Sequence, residues 1–315
     1  MNKPVATTEL GNATPSGPRI VLFVEDGSGD WHARRLKKAM EARGAQVITT
    51  TLSACAFDTS CPSGLDIPGF DGLLADGAFV RSVSTGTLEQ ITLRLGILHA
   101  LRESGVRVWN DARAIERCVD KSTATFLFQK AGLATPPTRV VETHARAHAH
   151  LTADPRPFVL KPLFGSQGNG VRRAHSADEL PMPEEVGDVY YMQHYLRAPE
   201  ATLFEDWRVF VSNGRLLSAM VRRGKSWITN VHQGAEPIAH DPCEEMSRLA
   251  LAAVAAIGAD YAGVDLIRDA SGRLMVLEIN SNPAWKGLQS VTATDIADTL
   301  AADFLAAVTQ LPALA

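Results

Sequence analysis

The stretch Val159-Leu160-Lys161-Pro162-Leu163-Phe164-Gly165-Ser166-Gln167-Gly168-Asn169-Gly170-Val171 decides how this chain is read. An apolar run ends on a lysine, a proline closes it, and glycines recur at 165, 168 and 170. Backbone N–H groups of such a loop can close over phosphate oxygens, and a lysine at the strand end sets a point charge beside them. The arrangement suits a nucleotide. It is not the dinucleotide fingerprint, because the spacing is G-x-x-G-x-G and the loop leads into another strand, Val171–Ala174, instead of a helix. A plain glycine-rich hairpin is the alternative for this stretch taken alone. Gly224-Lys225-Ser226 is no P-loop, since Ala219 stands where that motif needs its upstream glycine.

A second constellation lies downstream. Tyr261–Arg268 and Arg273–Asn280 read as two strands joined around Asp269-Ala270-Ser271-Gly272. Glu278 and Asn280 are two apart and leave the same face of their strand, and Asp265 can lie on the facing one. Three oxygen donors on one face would hold Mg²⁺, which shares its remaining positions with phosphates and water. A charge inside the apolar run Met275–Ile279 is costly unless it is paired or bound to metal. A salt-bridged strand facing solvent is the competing account.

Between and around these motifs the texture changes along the chain. Arg19–Glu25, Val47–Leu52, Gly72–Ala75 and Val106–Trp109 read as strands alternating with helices, one of them opened by the capping box Thr87-x-x-Gln90, so 18–112 predicts a small parallel α/β domain. One helix is expected from Ala112 to Ala131, then the extended connector Thr135-Pro136-Pro137-Thr138. Strands joined by turns follow, with Asn213-Gly214 as a type I′ hairpin signal, Asp241-Pro242 opening an Ala-rich helix to Ile257, and a last helix near Thr294–Gln310. The divisions expected are a tail over 1–17, the α/β domain, a central unit over 113–192 carrying the glycine loop, and a C-terminal unit over 193–315 carrying the acids. The whole is α/β followed by α+β.

Composition narrows the function classes. With 315 residues, 45% apolar and 21% charged, the chain can bury several sheets. A formal charge of -4 with scattered Lys and Arg argues against nucleic acid as partner. Cys55, Cys61, Cys118 and Cys243 make no C-x-x-C pair and predict reduced thiols. The polar opening lacks the apolar core of a signal peptide, and no apolar run approaches the ~20 residues of a bilayer span, so a cytoplasmic protein without membrane partners is expected. His144, His148 and His150 in HARAHAH have no Cys or carboxylate partner nearby and predict a solvated segment. Asp26 and Asp30 flank a loop after the first strand, a place where α/β sheets bind ligands, although helix capping explains Asp30 equally well.

Taken with Asp120-Lys121, Gln193-His194-Tyr195-Leu196, Asp206-Trp207-Arg208-Val209-Phe210 and Asn230-Val231-His232-Gln233-Gly234, the two constellations occur in an order that resembles the RimK-like branch of the ATP-grasp superfamily, over about residues 70–300. The resemblance implies an ATP-grasp fold behind an N-terminal Rossmann-like domain, and an ADP-forming ligase that joins an amino acid, glutamate, to a carboxylate. By the same resemblance Lys121 and Lys161 contact ATP phosphates, Ser166, Gln167 and Gly168 belong to the lid over them, and Gln193, His194, Tyr195 and Leu196 form the adenine hinge. Asp206 matches the ribose-binding acid. Arg208 and Asn230, with Lys161, match positions that act on the phosphates or the acyl-phosphate. Asp265, Glu278 and Asn280 match the ligands of two Mg²⁺ ions, with Mn²⁺ as a substitute.

The acceptor is less constrained. Arg222 and Arg223 match a basic pair near the amino-acid carboxylate, while Arg81 and Trp285 are expected beside the acceptor, with a structural ion pair as the equal alternative for Arg81. Gly86–Gln90 and Asn282–Gln289 are most similar to ligases of pterin- or furan-type one-carbon carriers. A protein or peptide C-terminus is the alternative acceptor, and a nucleotide-binding module without turnover is the alternative class; a biotin-dependent carboxylase lacks its carrier domain. The chain departs from many RimK-like ligases at Ile228, where they carry arginine, and in a shorter connection from Arg223 to Ile228. RimK-like relatives also imply a homodimer or homotetramer.

Overall fold

The structure is a computed structural model that describes residues 17–25, 29–165, 168–196 and 202–310. Ser166, Gln167, Asp26 and almost all of the expected tail lie outside the described residues. No helix among the described residues is long and apolar enough to cross a membrane.

The N-terminal part runs β1 (Arg19–Phe23), α1 (Trp31–Ala42), β2 (Gln46–Thr50), β3 (Ala56–Phe57), β4 (Leu65–Asp66), β5 (Gly77–Val80), α2 (Leu88–Glu103) and β6 (Arg107–Trp109). Four strands form one parallel sheet in the order β2-β1-β5-β6, and β3 with β4 makes a small antiparallel pair. The α/β pattern read from the sequence is therefore present, with one strand displaced. It begins at Gly77 instead of Gly72, because Asp71 and Gly72 turn the chain with φ of 52° and 72°. Gly77 also lets a helix approach: a Cβ there would meet Val308 and Phe304 of the last helix. The Thr87–Gln90 capping box forms as expected, and Asp30 caps α1 by accepting from His32 N–H.

The single helix expected over 112–131 is two, α3 (Ala112–Val119) and α4 (Lys121–Lys130). Asp120 ends the first and caps the second, its carboxylate accepting from the N–H groups of Ser122 and Thr123. An acid followed by two hydroxyl residues offers the backbone this local alternative to continuing the helix. The central sheet follows, from β7 (Thr138–Glu142), β8 (Phe158–Lys161), β9 (Arg172–Ala174) and β10 (Val189–His194), antiparallel in the order β7-β10-β8-β9. The His-rich segment forms α5 (His144–Ala153), which sets Ala147 and Leu151 into the core of that sheet, and α6 (Pro183–Val186) precedes β10.

The last sheet is built from β11 (Phe204–Ser212), β12 (Arg215–Gly224), β13 (Glu236–Ala239), β14 (Tyr261–Arg268) and β15 (Leu274–Asn280), in the order β13-β12-β11-β14-β15. Asn213 and Gly214, at φ 47° and 68°, make the expected tight turn. The Ala-rich helix α7 (Glu244–Ile257) starts later than Asp241-Pro242 suggests; Cys243 is its N-cap, and Glu244 and Glu245 occupy the first turn, where acids suit the positive end of the helix. Short α8 (Lys286–Gln289) and long α9 (Ile296–Thr309) complete the chain. One face of this sheet packs against α7 together with α3 and α4, and α9 returns to the N-terminal sheet, so packing crosses the divisions expected near 112 and 192. On the other face Phe210, Met220 and Tyr261 pack against the N-terminal sheet and α9, while Asp206, Arg222, Asp265 and Glu278 border a cleft shared with the central sheet.

Candidate active site

A cleft of about 880 Å³, open solvent at its mouth included, lies between the central sheet and the five-stranded one. Strand alternation decides what reaches it. Phe158 and Leu160 of β8 go into the core, so Val159 and Lys161 face the cleft. Lys161 is buried, and its Nζ donates to Gln193 Oε1 at 2.8 Å, about 5.9 Å from the Tyr191 ring. Burial lowers the affinity of this amine for its proton; Glu278, then Asp265 and Asp206, act against that shift. Lys121, first residue of α4, donates to the carbonyls of Leu163 (3.2 Å) and Gly165 (2.9 Å) and so ties the helix to the entry of the glycine loop. Its pKa is also lowered, by burial first, with Glu278 opposing and Lys161 adding to the fall.

The loop itself uses its glycines. Gly168 and Gly170 have φ of 75° and 70°, and a Cβ on Gly168 would stand 2.8–2.9 Å from Gln233 Nε2, Asn230 Oδ1 and Ile228 Cγ2. The loop therefore lies directly on 228–233, bringing Asn230 and Gly168 together at the cleft.

The acids of the second constellation are aligned by a bulge. Asp265 pairs in register with Glu278, but Leu266 pairs with Val276, so Leu277 is the extra residue. Without it, alternation would turn Glu278 into the core beside Val276; with it, Leu277 and Glu278 both line the cleft, while Val276 and Ile279 stay in the core. Asn280 Nδ2 donates to Glu278 Oε1 at 3.4 Å. The donor set, two carboxylate-bearing positions in cross-strand register and an amide beside them, is of the oxygen type that Mg²⁺ takes. Asp265 already carries two arginines: Arg208 grips it with both Nε and Nη2, the latter at 2.9 Å, and Arg222 Nη2 donates at 2.8 Å. Burial would raise the Asp265 pKa, but Arg208 and then Arg222 hold it below the ordinary value. Arg222 also grips Asp206 (2.6 and 2.5 Å), which accepts a further bond from Thr229 Oγ1 at 2.6 Å.

The segment after β10 is held from behind, His194 N–H on Pro137 O and Tyr195 N–H on Pro157 O. The His194 side chain reaches Asp154 at 3.2 Å in a separate surface pocket. The Tyr195 ring meets Trp227 edge-on at 5.9 Å and lies under Arg173.

Three of the expected substrate residues, Arg223, Trp285 and Arg81, stand apart from the cleft. Arg222 and Arg223 do not act as a pair, because adjacent strand residues face opposite sides: Arg222 is buried in the cleft wall, while Arg223 is exposed and bonds Glu205 at 2.6 Å. Trp285 is fully buried, packed on Phe210 and His32, and is not among the residues lining the cleft. Arg81 stacks on Trp285 at 4.7 Å and lies 3.8 Å from Asp30, buried with its Nε lacking a hydrogen-bond partner, and it is not among the residues lining the cleft. Sequence reasoning missed Trp227 and Thr229, both on the cleft wall. An aromatic residue in a short polar turn was the available signal for the first; nothing local distinguished the second.

A family model for the RimK-like ATP-grasp domain matches residues 118–304. The chain is 32% identical over 286 residues to a tetrahydromethanopterin:alpha-L-glutamate ligase of Methanococcus maripaludis, covering 86% of this chain and 93% of that one. It is 30% identical over 295 residues to a protein of Alkalilimnicola ehrlichii named "Probable alpha-L-glutamate ligase", covering 89% and 93%. In fold it is similar to the ATP-grasp ligase PsnB, solved with minimal precursor, Mg, and ADP: TM-score 0.69, 19% identity, 93% of this chain and 98% of that one. Family match and relatives together make this chain an ATP-grasp ligase that belongs to the RimK-like family.

Proposed function

We propose that this ligase adds L-glutamate to the terminal carboxylate of a small one-carbon carrier of the pterin or furan type, consuming ATP and releasing ADP and phosphate. The observation that carries the ligase chemistry is the meeting of Lys121 and Lys161 with Glu278 and Asp265 across one cleft beneath a glycine loop. Glutamate is supported by the similarity to relatives whose names give it, and the carrier by the one among them named for tetrahydromethanopterin.

A carboxylate is a poor electrophile, so one of its oxygens first attacks the γ-phosphorus of ATP. The bond to the β,γ-bridging oxygen breaks, ADP leaves, and the glutamate amine then attacks the acyl carbon as phosphate departs and the amine loses its proton. Such transfer needs positioning and charge neutralisation more than a protein nucleophile. Lys121 and Lys161 hold the phosphates, 193–196 carries the adenine, and Asp206 takes the ribose. Arg208 and Asn230 face the transferred group. Asp265, Glu278 and Asn280 would hold Mg²⁺, which when bound would supply charge neutralisation at the phosphates. Gly168, seated on Asn230, brings the loop down as a cover that keeps water from the acyl-phosphate.

The test is to incubate the chain with ATP, Mg²⁺, glutamate and a panel of carboxylated carriers and peptides, following ADP and product mass. The proposal expects ADP release that needs both glutamate and a carrier, with a product one glutamyl residue heavier. Turnover with peptides alone would assign the acceptor to a polypeptide, and ADP release independent of any amino acid would reject the glutamate assignment.

A further inference from the structure

Arg222 occupies a position that neither phosphate contact nor substrate binding accounts for. Its register partner on β11 is Asp206, while Asp265 belongs to β14 on the far side of β11 and is paired in register with Arg208. The Arg222 guanidinium therefore spans three strands. Its Nε takes Asp206 Oδ1, and its Nη2 takes both Asp206 Oδ2 and Asp265 Oδ2. One nitrogen with two in-plane hydrogens is shared between two carboxylates, and 4% exposure leaves the side chain little freedom to do anything else.

We propose that Arg222 is a positioning residue that links the nucleoside end of the cleft to its metal end, so that each ligand strengthens the other through the shared guanidinium. The inference rests on the roles given above to Asp206 and Asp265. A cation taken up by Asp265 repels the shared Nη2, which then falls wholly to Asp206 and fixes that carboxylate for the ribose. By linkage the nucleoside must favour the cation by the same factor.

The charges around the cleft favour such coupling. Among the described residues that line the cleft, Lys121, Lys161 and Arg222 stand against Asp206, Asp265 and Glu278, three formal charges of each sign, and Arg208 adds a grip on Asp265. A divalent ion arriving alone meets a wall with no net negative charge to draw it, and a bound triphosphate supplies that charge. Lysine at 222 would keep this balance but not the planar fork that serves both acids.

The experiment measures the affinity of the full chain for AMPPNP by calorimetry, once in EDTA and once with saturating Mn²⁺. In the unaltered chain Mn²⁺ should tighten binding on the order of 50-fold. Arg222→Lys should shrink that ratio to about 5-fold or less, with metal-free affinity within about 3-fold of the original. A role confined to stability would lower both affinities together and leave the ratio intact. A ratio within about 2-fold of the original in Arg222→Lys overturns the proposal. Should that variant fail to fold, Asp206→Asn, which weakens metal-free binding as well by touching the ribose, should still shrink the ratio to about 5-fold or less, and a retained ratio there overturns the proposal equally. Glu278→Gln separates the two levels of the argument. Loss of the Mn²⁺ effect in Glu278→Gln beside an unchanged ratio in Arg222→Lys contradicts the linkage alone. Persistence of the effect in Glu278→Gln contradicts the metal assignment on which the linkage rests.

Discussion

The amide oxygen of Gln193 accepts from the buried ammonium of Lys161 at 2.8 Å, while the amide nitrogen of Gln193 donates to Thr138 Oγ1 at 3.1 Å and Tyr191 Oη at 3.2 Å. The amide is thereby fixed with its acceptor toward the lysine, and the charge is aimed before any ligand arrives. Lys161→Ala should lower kcat/KM for ATP by about 10²- to 10³-fold, the loss expected when one preorganised charge at a transferring phosphoryl is removed. Gln193→Leu should act on both, lowering kcat/KM less than Lys161→Ala by releasing the aimed ammonium and costing roughly 1–3 kcal/mol of stability by stranding a buried donor. Steady-state kinetics and urea unfolding of the two variants distinguish these effects.

Gly168→Ala should separate nucleotide hydrolysis from ligation. The added methyl would be forced into Asn230, Gln233 and Ile228, at a φ of 75° that L side chains resist. A loop held off its seat admits water to the acyl-phosphate. The ratio of ADP released to amide formed, near one in the unaltered chain, should rise at least about 3-fold, while ATP affinity changes less. A ratio that stays near one would mean the loop does not protect the intermediate.

The adjacent arginines of β12 should behave oppositely. Arg223→Ala removes an exposed contact to Glu205, an interaction of a type worth about 0–1 kcal/mol, and should leave kcat/KM within about 3-fold. Arg222→Ala leaves two buried carboxylates short of a partner and should cost about 3–5 kcal/mol. Thermal unfolding of the two single variants side by side checks the contrast.

Asp30 gives the acid limb of the stability profile a defined contribution. Burial works to raise its pKa, but the His32 hydrogen bond and the charge of Arg81 outweigh it and bring the carboxyl from 3.8 down to about 2. A carboxylate with a lowered folded value contributes stability that is fully present above 3.8 and is lost as pH falls through about 2. Asp30→Asn keeps a good helix cap but removes the charge. Once solvent screening is allowed for, the variant should be about 1 kcal/mol less stable at neutral pH. Urea melts should show that gap closing between pH 4 and pH 2.

What the sequence made legible was local. Lys161 before its glycines, the Glu278-x-Asn280 spacing and the Asn213-Gly214 turn each depend on a few neighbouring residues, and each forms where its local chemistry places it. The splitting of Arg222 from Arg223 was legible too, since strand alternation alone separates them; the resemblance had treated them as one basic pair. Trp285 was not legible, because its burial is made by His32 and Phe210, more than seventy residues distant in the chain. Arg81 owes its place to the same packing. The Leu277 bulge lies between: alternation within β15 alone predicts Glu278 and Asn280 on one face, but only the register with β14 shows that this face is the cleft.

The acyl-phosphate route is tested most directly by isotope transfer. An acceptor whose carboxylate carries ¹⁸O is converted with ATP, Mg²⁺ and glutamate, and the inorganic phosphate released is weighed by mass spectrometry. One ¹⁸O atom per phosphate, with ADP as the other product, is the predicted result. Phosphate free of the label while amide accumulates, or label appearing in AMP, would contradict it.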